Sequence, residues 1–173
     1  KIIVGWSFMN TDDKIKNLLI FSGTPSDSAE DFEYAEFFKN FVGKKIICGG
    51  STASYISREL KIPIKMPNAK MSIDGLPPSF VMDGVNLVTE GVLTLSKAVE
   101  YLKTERVIGI DNPAGKLVEF LIDSDFISFV VGTGLNMNKI NVLKLKSRKE
   151  IIDEIVLILQ KKYSKKVSVQ YIQ

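Results

Sequence analysis

The chain has 173 residues, enough for one domain with a proper core. Hydrophobic residues make up 45% and charged residues 25%, an ordinary globular composition rather than a disordered or membrane-embedded one. The net charge of +3 is too mild to imply nucleic acid, and the lack of histidine excludes serine–histidine triads, histidine general bases and imidazole-ligated zinc.

No apolar run approaches the roughly 18 residues that a bilayer span needs, so no membrane partner is expected. The opening Lys1-Ile2-Ile3-Val4-Gly5-Trp6 makes a poor signal peptide, and the missing Met at position 1 fits a fragment or a processed product. A single cysteine, Cys48, excludes an intrachain disulfide and suits a reducing cytoplasm. Basic residues gather late, at Lys144, Lys146, Arg148 and Lys149 and again at Lys161, Lys162, Lys165 and Lys166. Without interleaved surface aromatics they read as solvated helix ends, and no nucleic acid is expected to bind.

In chain order, Asp12-Asp13 reads as a solvated turn, because adjacent residues of an extended segment point to opposite sides and chelate poorly. Asn17–Gly23 reads as a strand and Thr24–Asp27 as a turn. Ala29–Phe41 follows as a helix with Phe32, Phe37, Phe38 and Phe41 on its apolar side, closed by Gly43. Lys45–Cys48 is a second strand, and Thr52–Leu60 a helix with Ala53, Ile56 and Leu60 at three- and four-residue spacing. Lys61–Met66 contains Pro63, which suits a short edge strand, and Asn68–Ser79 forms a proline-rich loop or flap. Asn86–Gly91 is a third strand ending in glycine, followed by a helix over Leu93–Lys103. Asn112-Pro113 caps and opens a helix through Leu117, Val118, Leu121 and Ile122. Ser124–Val131 is a strongly apolar strand, Ser147 caps a helix over Arg148–Tyr163, and Lys166–Ile172 alternates like a closing strand. Strands apolar on both faces, alternating with helices, predict a single α/β domain over 1–173. Its mainly parallel sheet would carry helices on both faces in a Rossmann-like three-layer arrangement.

In such a sheet ligands collect beyond the carboxyl ends of the strands. Those ends are Ser22-Gly23-Thr24, Gly49-Gly50-Ser51-Thr52, Thr89-Glu90-Gly91 and Gly132-Thr133-Gly134, all small, polar and glycine-bearing. Gly49 and Gly50 before a helix opened by Ser51 and Thr52 would direct backbone N–H groups and a positive dipole end at one spot, where an anion binds. Gly50 is expected to let a ligand approach the backbone. Glycine and threonine also serve merely to turn the chain tightly, which is the plain alternative. Neither the phosphate-loop motif Gly-x-x-x-x-Gly-Lys-Ser/Thr nor Gly-x-Gly-x-x-Gly occurs, and no cofactor is expected. Glu90 overlooks the same pocket, either as an acid/base or as a glutamate favoured by the helix start behind it. Cys48, at a strand end, reads as a small buried apolar residue rather than a reactive thiolate.

Gly43–Ala53, with its Lys-Lys-Ile-Ile-Cys-Gly-Gly-Ser-Thr core, resembles a segment of bacterial stage II sporulation protein E-like serine/threonine phosphatases. That segment lies C-terminal to their catalytic domain. Gly84–Leu95, Phe21-Ser22-Gly23-Thr24-Pro25 and the proline pair Pro77-Pro78 are similar to other blocks of the same tail. In that family the reaction depends on aspartates, some in Asp-Gly motifs, holding two metal ions. The Asp-Gly pairs here, Asp74-Gly75 and Asp83-Gly84, fall in the tail-like region, so the resemblance assigns no catalytic or metal-binding residue. It implies an accessory α/β portion without the phosphatase.

The expectation is a non-catalytic regulatory or ligand-sensing domain of the bacterial cytoplasm. It would bind a small anionic ligand, or a partner such as a phosphatase catalytic domain, at the strand ends. The alternatives are a small-molecule enzyme using Glu90 on a phosphorylated or carboxylated substrate, and a structural homodimerisation module.

Overall fold

Leu18, Leu19, Ile20 and Phe21 leave almost no surface exposed, and a strand apolar on both faces must lie inside a sheet covered on both sides. In the computed structural model, which describes residues 15–66, 72, 75–106, 108–134 and 147–173, that strand is the centre of the fold. β1 (Asn17–Ser22), β2 (Lys44–Cys48), β5 (Leu87–Thr89), β6 (Phe126–Gly132) and β7 (Lys166–Ile172) form one five-stranded sheet in the order β5-β2-β1-β6-β7. Every pairing in it is parallel, and Ile20 stands between Ile46 of β2 and Phe129 of β6.

Alternation along β1 divides the core into two layers. Leu18 and Ile20 join Ile46, Ile127 and Phe129 beneath α3 (Val92–Lys103), α4 (Pro113–Asp123) and α5 (Arg148–Lys161). Leu19 and Phe21 join Ile47 and Val88 beneath α1 (Asp31–Asn40) and α2 (Gly50–Leu60). The molecule is therefore a three-layer α/β fold. Among the described residues no helix is long and apolar enough to cross a membrane.

Helix ends follow the expected chemistry. Asn112 accepts a hydrogen bond from Gly115 N at 2.8 Å and precedes Pro113 at the first turn of α4. Ser147 and Glu150 form a reciprocal capping box on α5.

Several local expectations are corrected. α1 starts at Asp31 after a 3-10 turn over Ser28–Glu30, and Phe32 is 58% exposed, while Phe38 fills the core as expected, together with Ala35. Gly43 does not close α1, which ends at Phe41 in an extended conformation. Gly43 packs on β1, where a Cβ would stand 2.5 Å from Asn17 O. α2 begins at Gly50 rather than Thr52. The Lys61–Met66 segment supplies only β3 (Ile64–Lys65), which pairs antiparallel with β4 (Val81–Met82) in a separate two-stranded sheet. Asp12-Asp13 and most of the stretch from Asn68 to Asp74 lie outside the described residues.

Candidate functional site

Because β5, β2, β1 and β6 are adjacent and parallel, their carboxyl ends share one edge of the sheet. Short bonds knit these ends together. Ser22 Oγ donates to Cys48 O at 2.8 Å, Gly49 N to Thr89 O at 2.9 Å and Gly50 N to Glu90 O at 3.2 Å. On the other side Gly134 N donates to Thr24 O at 2.9 Å. Gly49 (φ +140°) and Gly91 (φ +132°) take backbone conformations that side chains resist. They also touch, since a Cβ on Gly91 would lie 3.2 Å from Gly49 Cα.

The predicted residues take different roles at this edge. Thr52 is fully buried, and its Oγ1 accepts the N–H of Gly23 at 2.8 Å, tying α2 to the end of β1. It faces no open cleft. Gly50 and Ser51 are exposed, and a Cβ on Gly50 would meet nothing within 4 Å, so the fold itself tolerates a side chain there. Thr89 is fully buried, with its hydroxyl against the Cys48 thiol beside it in the β2–β5 register. Glu90 is half-buried and accepts the Leu93 N–H at 3.3 Å, capping α3. Gly132 and Gly134 serve packing against the chain after β1: a Cβ on Gly132 would stand 2.1 Å from Thr24 O. Thr133 is exposed, and its hydroxyl donates to Ile172 O at 2.9 Å.

The side chain at this edge that sequence reasoning missed is Arg148, grouped there with solvated lysines. As the first residue of α5 it reaches over the strand ends, and its Nη1 lies 2.8 Å from where a Cβ of Gly23 would be. Glycine at 23 is what makes room for the guanidinium. Arg148 is half-buried, and its Nε is inaccessible and without a hydrogen-bond partner. Burial lowers its pKa, with Cys48 and Glu90 nearby opposing that shift. Its place is also wrong for the helix dipole, which favours anions at a helix start. A guanidinium placed directly after a serine cap was the available signal.

Cys48 is fully buried, and burial pushes its thiol up to about 12 against the opposing influence of the Thr89 hydroxyl and Arg148. It is an inert core thiol, as its strand-end position suggested. Among the described residues no group of three or more aspartate, glutamate or cysteine side chains is arranged to hold a metal. Asp83 of the described Asp-Gly pair is exposed beside Lys65 at 3.5 Å. Two surface grooves lie away from the carboxyl edge. One of about 400 Å³ is lined by Lys44, Asn86, Lys116 and Phe120, among others, and one of about 250 Å³ lies between α3 and α5.

Compared with known proteins, the chain matches no protein-family model, no curated protein and no solved structure.

Proposed function

We propose that this domain is a non-catalytic, cytoplasmic ligand-sensing module that takes a small anionic ligand at the carboxyl edge of its sheet. Its place in a larger system would be that of the accessory region beside a sporulation-type phosphatase catalytic domain, the family whose tail its strand-end segments resemble. One observation carries the ligand reading. The start of α2 and the half-buried guanidinium of Arg148 both reach Gly23, one through the Thr52–Gly23 bond and the other by direct approach. A positive helix end and a desolvated cation converge there, and an anion answers both. Glu90 enters this reading as a cap on α3 rather than as an acid/base.

The test is thermal unfolding of the pure chain against inorganic phosphate, nucleotides, sugar phosphates and small carboxylates, with each compound assayed afterwards for conversion. At a hundredfold excess over Kd, binding stabilises by about 2.7 kcal/mol, on the order of 5–10 °C for a chain of this size. The expected result is at least one such shift with the ligand recovered unchanged. Conversion of the ligand would make the chain an enzyme, and a flat response across the panel would remove the ligand reading.

A further inference from the structure

We infer that β7 is a dimerisation edge, which pairs antiparallel with β7 of a second copy across a two-fold axis at Val169. This surface is the side edge of the sheet, away from the glycine-bearing strand ends. The inference therefore goes beyond the ligand reading and does not depend on it.

The two side edges of the sheet are finished differently. At β5 the chain covers its own edge: Phe80 bridges antiparallel to Val88, and its N–H donates to Val88 O at 2.9 Å. At β7 no strand does so among the described residues. β7 follows β6 in unbroken register from Lys166 to Ile172. Lys166 N donates to Asp125 O, and Ile172 O accepts from Thr133 N, so the even-numbered residues turn their backbone groups toward β6. The N–H and C=O groups of Val167, Val169 and Tyr171 therefore point outward. Among the described residues the bond found there is a long one, from Gln160 Nε2 to Val167 O at 3.4 Å. Native edges are usually kept short, bulged or broken by proline. β7 is seven residues long, with neither bulge nor proline.

A second β7 fits this edge. Outward backbone groups sit on odd-numbered residues, so odd must face odd. Centring on Val169 is then the antiparallel register that pairs all seven residues. It sets Val169 against Val169 and Val167 against Tyr171 of the second copy. These side chains share the face under α5, where Val167 and Val169 pack on the core and the Tyr171 hydroxyl donates to Asp153. Cross-strand pairs of β-branched and aromatic residues are favourable there.

Charge selects the same arrangement. Asp153 stands beside Tyr171 and Gln160 beside Val167, so the register brings the carboxylate of one copy to the amide donor of the other. It also carries the exposed Lys161 and Lys166 of one copy to the Asp153 end of the other, roughly 20 Å from their own counterparts. A parallel pairing would set lysine on lysine. Because the edge is matched with itself, the contact closes as a dimer and does not propagate.

Sedimentation of the pure chain over a wide concentration range is the test, joined to amide hydrogen exchange at both ends of that range. The mass is expected to rise from one copy to two and no further. Exchange at Val167, Val169 and Tyr171 should slow as the dimer forms, while Lys166, Ser168 and Gln170, already bonded to β6, stay unchanged. Val169→Pro removes an outward N–H and no bond to β6, so it should keep the fold and weaken dimerisation at least tenfold. A mass of one copy throughout, or association that continues past two, overturns the inference. So does a dimer in which the odd-numbered amides exchange as fast as in the monomer, or one that a folded Val169→Pro forms as tightly as wild type. Should Val169→Pro fail to fold, the wild-type exchange pattern decides alone. Anion binding is measured separately, so either reading can fail while the other stands.

Discussion

Thr52 and Arg148 exchange the roles their sequence contexts suggest. A threonine at a helix start after two glycines reads as a ligand donor, yet its hydroxyl is consumed by Gly23 N in the interior. An arginine among lysines reads as solvated, yet it lies half-buried over the strand ends. Both outcomes depend on Gly23, which is distant in sequence from each, so neither is visible in local spacing. Cys48 was legible because a thiol flanked by Ile46 and Ile47 in a strand is buried by the same pattern that buries them. Its titration gives a prediction with a definite sign. In the unfolded chain the thiol ionises near 9.0, whereas in the fold it stays protonated up to about 12. Its contribution to stability is thus fully present below pH 9 and is lost as pH rises toward 12. The slope is about 1.4 kcal/mol per pH unit for one proton. Denaturant melts of wild type and Cys48→Ala between pH 8 and 10.5 should show a shallower alkaline decline in the variant; parallel declines would contradict the assignment. Tyr55 offers a second residue-scale check. Its hydroxyl is buried without a partner, and burial raises its pKa. Tyr55→Phe should therefore be neutral or stabilise by about 1 kcal/mol in urea unfolding. A loss of stability would mean that the hydroxyl is satisfied.

β4, a short pairing outside the parallel sheet, was not foreseen, but the five strands of that sheet were legible in order, with ends shifted by a residue or two, because a run such as Leu18–Phe21 admits only a doubly covered position. Helix ends were less so. The side chains at 112 and 147 cap as their types suggest, but Gly43 packs against β1 instead of ending α1, since only tertiary contact fixes where that chain turns. α5 is the element on which structure and proposed site meet. Its capping box sets the helix start and thereby the origin of the Arg148 side chain. Ser147→Ala should cost about 1 kcal/mol, roughly 2–4 °C in melting temperature, and should weaken anion binding as well. Lost stability with unchanged affinity would separate the cap from the site. Within the sheet, Ile20→Ala at the fully buried centre of β1 should cost about 2–5 kcal/mol in urea melts. A cost under 1 kcal/mol would show that β1 is not the centre of the core.

At the scale of the molecule, one parallel sheet sends four glycine-bearing strand ends to a common edge, and the three-layer cover follows from the division of β1 between two core layers. That architecture follows from hydrophobic alternation, which is local and repeated along the chain. The proposed site is a single long-range coincidence of α5, Gly23 and the start of α2, so no repeated pattern announces it. The claim that this edge binds an anion is tested most directly by backbone amide shifts of the labelled chain on titration with inorganic phosphate and then acetate. The account predicts that Gly23, Ser51, Thr52 and Arg148 move together and fit one dissociation constant. Saturable shifts confined to the groove beside Lys44 and Lys116, or no saturable shift at any concentration, would contradict it.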